Sequence, residues 1–348
     1  MSTSFTMIGG EGPDSYQKHS KWQGGLLEAA KEKINEAIST KLDIDFTSNL
    51  VNIADFGCST GPNTFKAVQT IIDAVEHKYQ KENNYEEIEF QVFFNDSSNN
   101  DFNTLFKTLP QARRYYTAGV PGSFFGSVLP KRTLHVGVSS YSLHFVSTVP
   151  KEIKDHDSQV WNKDIHCTGL SKEVVKAYLD QYKIDMGSYL NARAQELLSG
   201  GLLLLLGSCL PNGVQMSETL NGMMLDCIGS ALNDMAEKGL IDQEKLDTFK
   251  LPIYVAYASE LKQTIEDNGF YTIERFDIIS NENEEIPIDE EFLTVSFKVT
   301  VGGIVASQFG QDAMEKTFEV VKIKTQEILP QLANAKPEMQ YLIVLRRI

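Results

Sequence analysis

Four short runs, LVNIADF (50–56), EFQVFFND (89–96), LHVGVSS (134–140) and GLLLLLGS (201–208), are separated by longer amphipathic stretches. Their near-continuous apolar character fits strands buried on both faces rather than on a half-solvated sheet. Buried strands joined by helical crossovers make a parallel α/β sheet covered by helices. The intervening NTFKAVQTIIDAVEHKY (63–79) and the segment from Lys172, KEVVKAYLDQYKIDMGSYLNARAQELL, carry apolar residues at helical spacing. FYTIERFDII (270–279) and the C-terminal MQYLIVLRRI are placed to close the far edge of the same sheet.

The stretches 211–268 and 281–335 differ in character: they are helix-rich and hold Met216, Met223, Met224, Met235 and Met314, with an acidic tract, NENEEIPIDEE (281–291), read as a solvated loop. They read as a helical cap over the ligand-binding edge of the sheet. The expected organisation is an N-terminal segment and core over 1–210, a first cap piece over 211–268 and a core strand over 269–280. An acidic loop with a second cap piece follows over 281–335, and a final core strand over 336–348.

A formal charge of -15 repels a phosphate backbone and an anionic membrane surface alike, so neither nucleic acid nor membrane is an expected partner. The four cysteines, Cys58, Cys167, Cys209 and Cys227, form no CxxC or CxxH pair and read as reduced thiols. The N-terminal stretch has no apolar signal core and the leucine run at 200–208 is far short of a membrane span, so a cytosolic setting is expected.

The first strand leads into IADFGCSTGPNTF (53–65), a glycine turn of the kind that often holds phosphate. Its details argue otherwise. Gly57 and Gly61 are followed by Pro62 and Asn63, not by the lysine of a phosphate-binding loop, and the spacing is not GxGxxG. Asp55 at the strand end would repel a pyrophosphate and attract a cation. The second strand also ends in an acid, Asp96, where such folds bind the two hydroxyls of a ribose. PGSFFG (121–126) offers a Ser123 hydroxyl and a Phe124 ring beside an adenine. A ribose with a cation and no phosphate describes S-adenosylmethionine.

The chain resembles the plant carboxyl methyltransferases of the salicylate, benzoate and theobromine (SABATH) family. The resemblance is carried by MIGGEGPDSYQKHSKWQ (7–23), IADFGCSTGPN (53–63), FFNDSSNNDFNTLF (93–106), GVPGSFFGSVLP (119–130), SSYSLHFVS (139–147), ALNDMAEKGLI (231–241) and LDTFKLPIY (246–254). Within the family the similarity runs to the farnesoic acid methyltransferases. It implies a class I S-adenosylmethionine-dependent methyltransferase fold, Rossmann-like with a seven-stranded, mostly parallel sheet and a helical cap, often as a homodimer. It also implies cofactor contacts from Tyr16, Ser20, Gln23, Asp55, Cys58, Asn63, Asp96, Ser97, Ser123 and Phe124. Substrate contacts would come from Tyr16, Gln23, Tyr141, His144, Phe145, Met224, Leu225, Phe297 and Thr300. Some members hold magnesium at positions matching Asn162, Asp247 and Phe249, with an asparagine where this chain has Lys250.

Several positions depart from salicylate-type members. Phe145 stands where they carry a tryptophan whose indole N–H meets the carboxylate, Leu225 replaces a second pocket tryptophan, and Ile8 replaces a lysine near the carboxylate. Such a site is expected to prefer a flexible apolar acid, with Met223 and Met224 adapting to its shape. A carboxylate is already ionised near neutral pH, so methyl transfer to it needs no general base. Gln23, Tyr141 and His144 are therefore expected to orient the acceptor, not to take a proton. Rival readings are methylation of another carboxylic acid of jasmonate or benzoate type, N-methylation of a xanthine-like ring, which would need a base, a nicotinamide dehydrogenase, and a non-enzymatic sensor of small acids.

Overall fold

The computed structural model of the protein describes residues 7–10, 12, 15–44, 49–82, 88–279 and 289–348. Helices α1 (Tyr16–His19) and α2 (Lys21–Lys41) precede strand β1 (Leu50–Phe56), α3 (Pro62–Glu82), β2 (Glu89–Asp96), α4 (Phe102–Lys107), β3 (Tyr116–Pro121) and β4 (Leu134–Ser140). Then come α5 (Lys151–Lys154), α6 (Lys172–Glu196), β5 (Leu197–Cys209), a short 3-10 turn (Met216–Glu218), α7 (Leu220–Glu237), α8 (Gln243–Thr248) and α9 (Ala258–Asn268). Strand β6 (Tyr271–Ile279), α10 (Glu290–Phe309), α11 (Gln311–Leu332) and β7 (Met339–Arg347) complete the chain.

The strands form one seven-stranded sheet in the order β3-β2-β1-β4-β5-β7-β6, with β1 to β5 parallel and β7 antiparallel to both neighbours. The reversal of strand order lies between β1 and β4, where open α/β sheets open a crevice at the carboxyl ends of their strands. The leucine run shows why these strands read as unbroken apolar runs. Leu202, Leu204 and Leu206 enter the core shared with α2 and α3, whereas Leu203 and Leu205 enter the core shared with α6. Both faces are covered, so every position is apolar.

A third core joins α7, α8, α10 and α11 into the cap. The stretch 211–268 divides: α7 and α8 belong to the cap, but α9 packs Leu261 and Ile265 against Tyr178, Tyr182 and Leu190 on the α6 side of the sheet. Most of the acidic tract, 281–288, lies outside the described residues. Its last residues are not loop: Asp289 caps α10 by accepting from the Phe292 N–H at 2.7 Å, and Glu290 and Glu291 form its first turn. By length and composition α10 is apolar enough to cross a membrane. Its hydropathy is accounted for within the fold, since Leu293, Val299, Ile304 and Val305 are buried in the cap core while Phe297 and Thr300 face a cavity.

Strand β3 has no counterpart among the expected strands. Its sequence YTAGVP is short, and as the outermost strand it is only half-buried, so no apolar run marks it.

Candidate active site

The turn after β1 is built by close approach. Gly57 has φ +87° and a Cβ there would meet the Ser142 side chain at 2.5 Å, so this position requires glycine. The Gly57 and Cys58 N–H groups both donate to the Asn95 carbonyl, and Ser59, at φ 51°, donates its N–H to Asp96 at 2.8 Å. Asp96 also accepts from the Ser97 N–H at 2.7 Å. Asn95 donates its amide to the Val120 and Gly122 carbonyls, so one residue, through its carbonyl and its side chain, ties the ends of β1, β2 and β3 together.

Beneath this turn Asp55 is 3% exposed; one carboxyl oxygen accepts from the Thr64 hydroxyl at 2.5 Å and the other is buried without a partner. Burial pushes its pKa up to about 7, against the Thr64 hydrogen bond and with the charge of Asp96. Burial likewise pushes Asp96 up to about 6, offset in part by the two backbone N–H groups. Two buried carboxyls held above their ordinary range, one with an orphaned oxygen, fit a cationic ligand that would restore both to the ionised form. This chemistry fits the methionine ammonium and ribose hydroxyls of S-adenosylmethionine.

A cavity of about 350 Å³ opens over the turn, lined by Tyr16, Gly57, Ser59, Asp96, Ser97, Ser123 and Phe124 among others. Of the expected cofactor residues, Ser20, Gln23, Asp55, Cys58 and Asn63 do not line it, Gln23 lying instead in the second cavity described below. Asp55 and Cys58 are buried in the turn beneath it, the Cys58 thiol held neutral by burial. Asn63 donates to the Ser20 carbonyl at 2.8 Å, fastening the start of α3 to the junction of α1 and α2.

The Ser123–Phe124 loop is fixed from below. Arg193 donates to the Phe124 and Gly126 carbonyls at 2.7 and 2.9 Å and to Glu196 at 2.7 Å, while Glu196 accepts from the Val128 and Leu129 N–H groups. Both side chains are fully buried, and the guanidinium lies 4.0 Å over the Phe56 ring. Nothing in the sequence flags this clamp, because its parts lie about seventy residues apart along the chain.

A second cavity, of about 380 Å³, lies between the sheet edge and the cap. It is lined by Gln23, His144 and Leu225, by Phe292, Phe297 and Val301 of α10, and by Glu338, among others. Met7, Tyr16, Tyr141, Phe145 and Thr300 line both cavities and form the wall where they meet. Tyr141 reaches this wall from a left-handed backbone, φ 51°, just after β4, with its hydroxyl buried and without a partner. Burial keeps that hydroxyl protonated, as a donor. The side-chain oxygen of Gln23 is also buried and unpartnered. Burial pushes the His144 pKa down to about 4, so the ring is neutral at physiological pH; it packs against Phe145 with centroids 4.4 Å apart and the rings tilted by 36°.

Eight of the expected substrate residues thus line this second cavity. Met224 does not: it is fully buried in the cap core, with its sulfur 3.7 Å from the Thr325 hydroxyl. Met216 is the cap methionine that reaches the cavity. Asn221, Ser208 and Glu338 line it too and belong to no motif in the sequence.

The residues expected to hold magnesium do not fit a cation. Lys250 is buried and its ammonium donates to the Asp247 carbonyl at 2.7 Å, placing a positive charge among Asn162, Asp247 and Phe249. The Asn162 amide donates to the His166 carbonyl and its oxygen accepts from the Asp164 N–H. Phe249 packs edge-on to Phe309. No step of the chemistry is assigned to a metal here.

The sequence profile of the family described as SAM dependent carboxyl methyltransferase matches residues 2–348. The chain is 77% identical over 347 residues to a farnesoic acid carboxyl-O-methyltransferase of Arabidopsis thaliana, covering 100% of both chains. It is 56% identical to paraxanthine methyltransferase 2 of the same plant, over 99% of this chain and 98% of that one. Among solved structures it superimposes on a loganic acid methyltransferase with S-adenosylhomocysteine at TM-score 0.93 and 39% identity, covering 98% of each chain.

Proposed function

We propose, for a chain that belongs to the S-adenosylmethionine-dependent carboxyl methyltransferase family, that the second cavity takes a flexible, largely aliphatic carboxylic acid of isoprenoid size and yields its methyl ester. The observation that carries this reading is the shared wall: Tyr16, Tyr141, Phe145 and Thr300 front both a cation-binding turn and a mostly apolar chamber. The similarity to an enzyme named for farnesoic acid supports the acid class.

S-adenosylmethionine, when bound, supplies an electrophilic methyl group on a sulfonium. Asp96, in the cavity wall, and Asp55, buried beneath the turn, would hold its ribose and ammonium ends by their charge. Phe124, fixed by Arg193, would flank its adenine. On the acceptor side the Tyr141 hydroxyl, the Gln23 amide and the neutral His144 ring donate to the carboxylate and aim one oxygen at the shared wall. The carboxylate enters ionised, so no side chain removes a proton. Alignment and water exclusion supply the rate, and effective molarities for such positioning reach about 10⁵ M or more. Phe145 contributes a wall without a donor. The reading includes a homodimer in the cytosol, supported by the family resemblance and by four buried, unbridged cysteines.

The test is to offer the purified protein methyl-labelled S-adenosylmethionine with farnesoic, jasmonic, salicylic, benzoic, indoleacetic and fatty acids, and with paraxanthine. A labelled ester of a flexible aliphatic acid is the expected product, and Phe145→Trp is expected to shift the ranking towards compact aromatic acids. Label on a ring nitrogen of paraxanthine with no acid esterified overturns the reading in favour of N-methylation, which the 56% identity to a paraxanthine methyltransferase makes the second reading.

A further inference from the structure

Glu338 stands directly before β7 and its side chain enters the wall of the acceptor cavity. Both carboxyl oxygens are buried and neither has a partner in full hydrogen-bond geometry. The Asn221, Thr219 and Ser208 side chains approach it and favour its ionised form, but burial outweighs them and holds the carboxyl above its usual range. Thr219 is already committed, donating to the Met216 carbonyl at 2.8 Å and accepting from the Gly222 N–H at 3.1 Å. Lys336, two residues earlier, pairs with Glu218 at 2.6 Å. The mechanism above makes no use of Glu338.

A buried carboxyl without a partner is costly, and an acceptor made only of hydrocarbon would leave it so. An ionised carboxyl accepts hydrogen bonds; a protonated one donates one and still accepts. A hydroxyl serves either form, because it both donates and accepts.

We infer that the acceptor acid carries, besides its carboxylate, a hydroxyl group that pairs with Glu338 in the cavity wall. Glu338 is then a specificity-determining residue, and the substrate class narrows from aliphatic acids to hydroxylated ones. This rests on the carboxylic acid reading and deepens it.

The test is calorimetry on protein saturated with S-adenosylhomocysteine, comparing dodecanoic acid with a series of hydroxydodecanoic acids in which the hydroxyl moves along the chain. At least one hydroxylated member is expected to bind roughly tenfold or more tighter than the parent. Glu338→Met is expected to reverse that preference, and Glu338→Gln, whose amide both donates and accepts, to keep part of it. The inference is overturned if no hydroxylated member outbinds dodecanoic acid in the unmodified protein. It is equally overturned if both variants keep the original ranking; should Glu338→Met fail to fold, the unmodified protein and Glu338→Gln decide. Labelled-methyl assays on the same acids separate the two claims. Acids that bind with a hydroxyl preference but are never esterified sink the carboxyl methylation reading alone, and acids esterified with no such preference sink this inference alone.

Discussion

At the scale of single residues, the site works by leaving selected polar atoms unsatisfied. Asp55, Gln23, Tyr141 and Glu338 each hold a buried oxygen without a partner, and all four stand at the two cavities or directly beneath them. Asp55 and Asp96, raised by burial to about 7 and about 6, are partly protonated near neutral pH without a cation beside them. The ammonium-bearing cofactor favours their ionised forms, so its affinity is full above pH 7 and falls as pH drops through 7 towards 6, with protons released on binding. Calorimetry between pH 6 and 8 in two buffers of different ionisation heat reads that release; binding with no proton release would refute the assignment. On the acceptor side, Gln23→Ala is expected to lower turnover of the acid by about two orders of magnitude, the size of effect a lost orienting donor has in other sites. Cofactor affinity is expected to stay within a few-fold of the parent, and a variant that turns over at a comparable rate would remove Gln23 from the orienting role.

At the scale of elements, the cavity over the β1 turn depends on groups that do not line it. Arg193 and Glu196, at the carboxyl end of α6, hold the 124–129 loop through four hydrogen bonds and pair with one another. Removing one partner leaves the other charge buried and uncompensated, a loss of about 3–5 kcal/mol. Arg193→Met is therefore expected to lower the denaturation midpoint and weaken S-adenosylhomocysteine binding together. If stability falls but calorimetry shows unchanged affinity, the clamp supports the fold without setting the loop. The elements themselves were largely legible in the sequence. Runs buried on both faces announce β1, β2, β4 and β5, and Asp55 and Asp96 at strand ends announce the cationic ligand. Strand β3 was not legible, because an edge strand with half-exposed faces has no apolar run. Neither were Arg193, Asn95 or Glu338, single residues whose roles arise only when the fold brings distant segments together. Met224 and Met216 show the same limit: Met224, on α7, turns into the cap core, whereas Met216, in the 3-10 turn before α7, meets the cavity, and only the folded chain distinguishes them.

At the scale of the whole molecule, sheet and cap divide the labour. The carboxyl ends of β1, β2 and β4 carry the cofactor turn, the cap supplies the apolar chamber, and Tyr141 and Phe145 sit where the two meet. The apolar character of α10 belongs to this division, since one side of it closes the cap core and another walls the chamber. In such an arrangement the reaction needs alignment of an ionised acceptor and no proton transfer. The His144 ring, neutral with its pKa pushed down to about 4, is the group that would serve as a base instead. The measurement that separates these is kcat of His144→Gln against the parent, with cofactor and acid both saturating, from pH 7 to 9, where the parent ring is already free to accept a proton. Positioning of a carboxylate predicts that the variant, whose amide still donates, keeps kcat within about tenfold of the parent and the same flat profile. A loss of about a hundredfold or more across that window would contradict it and show that the ring removes a proton in the step.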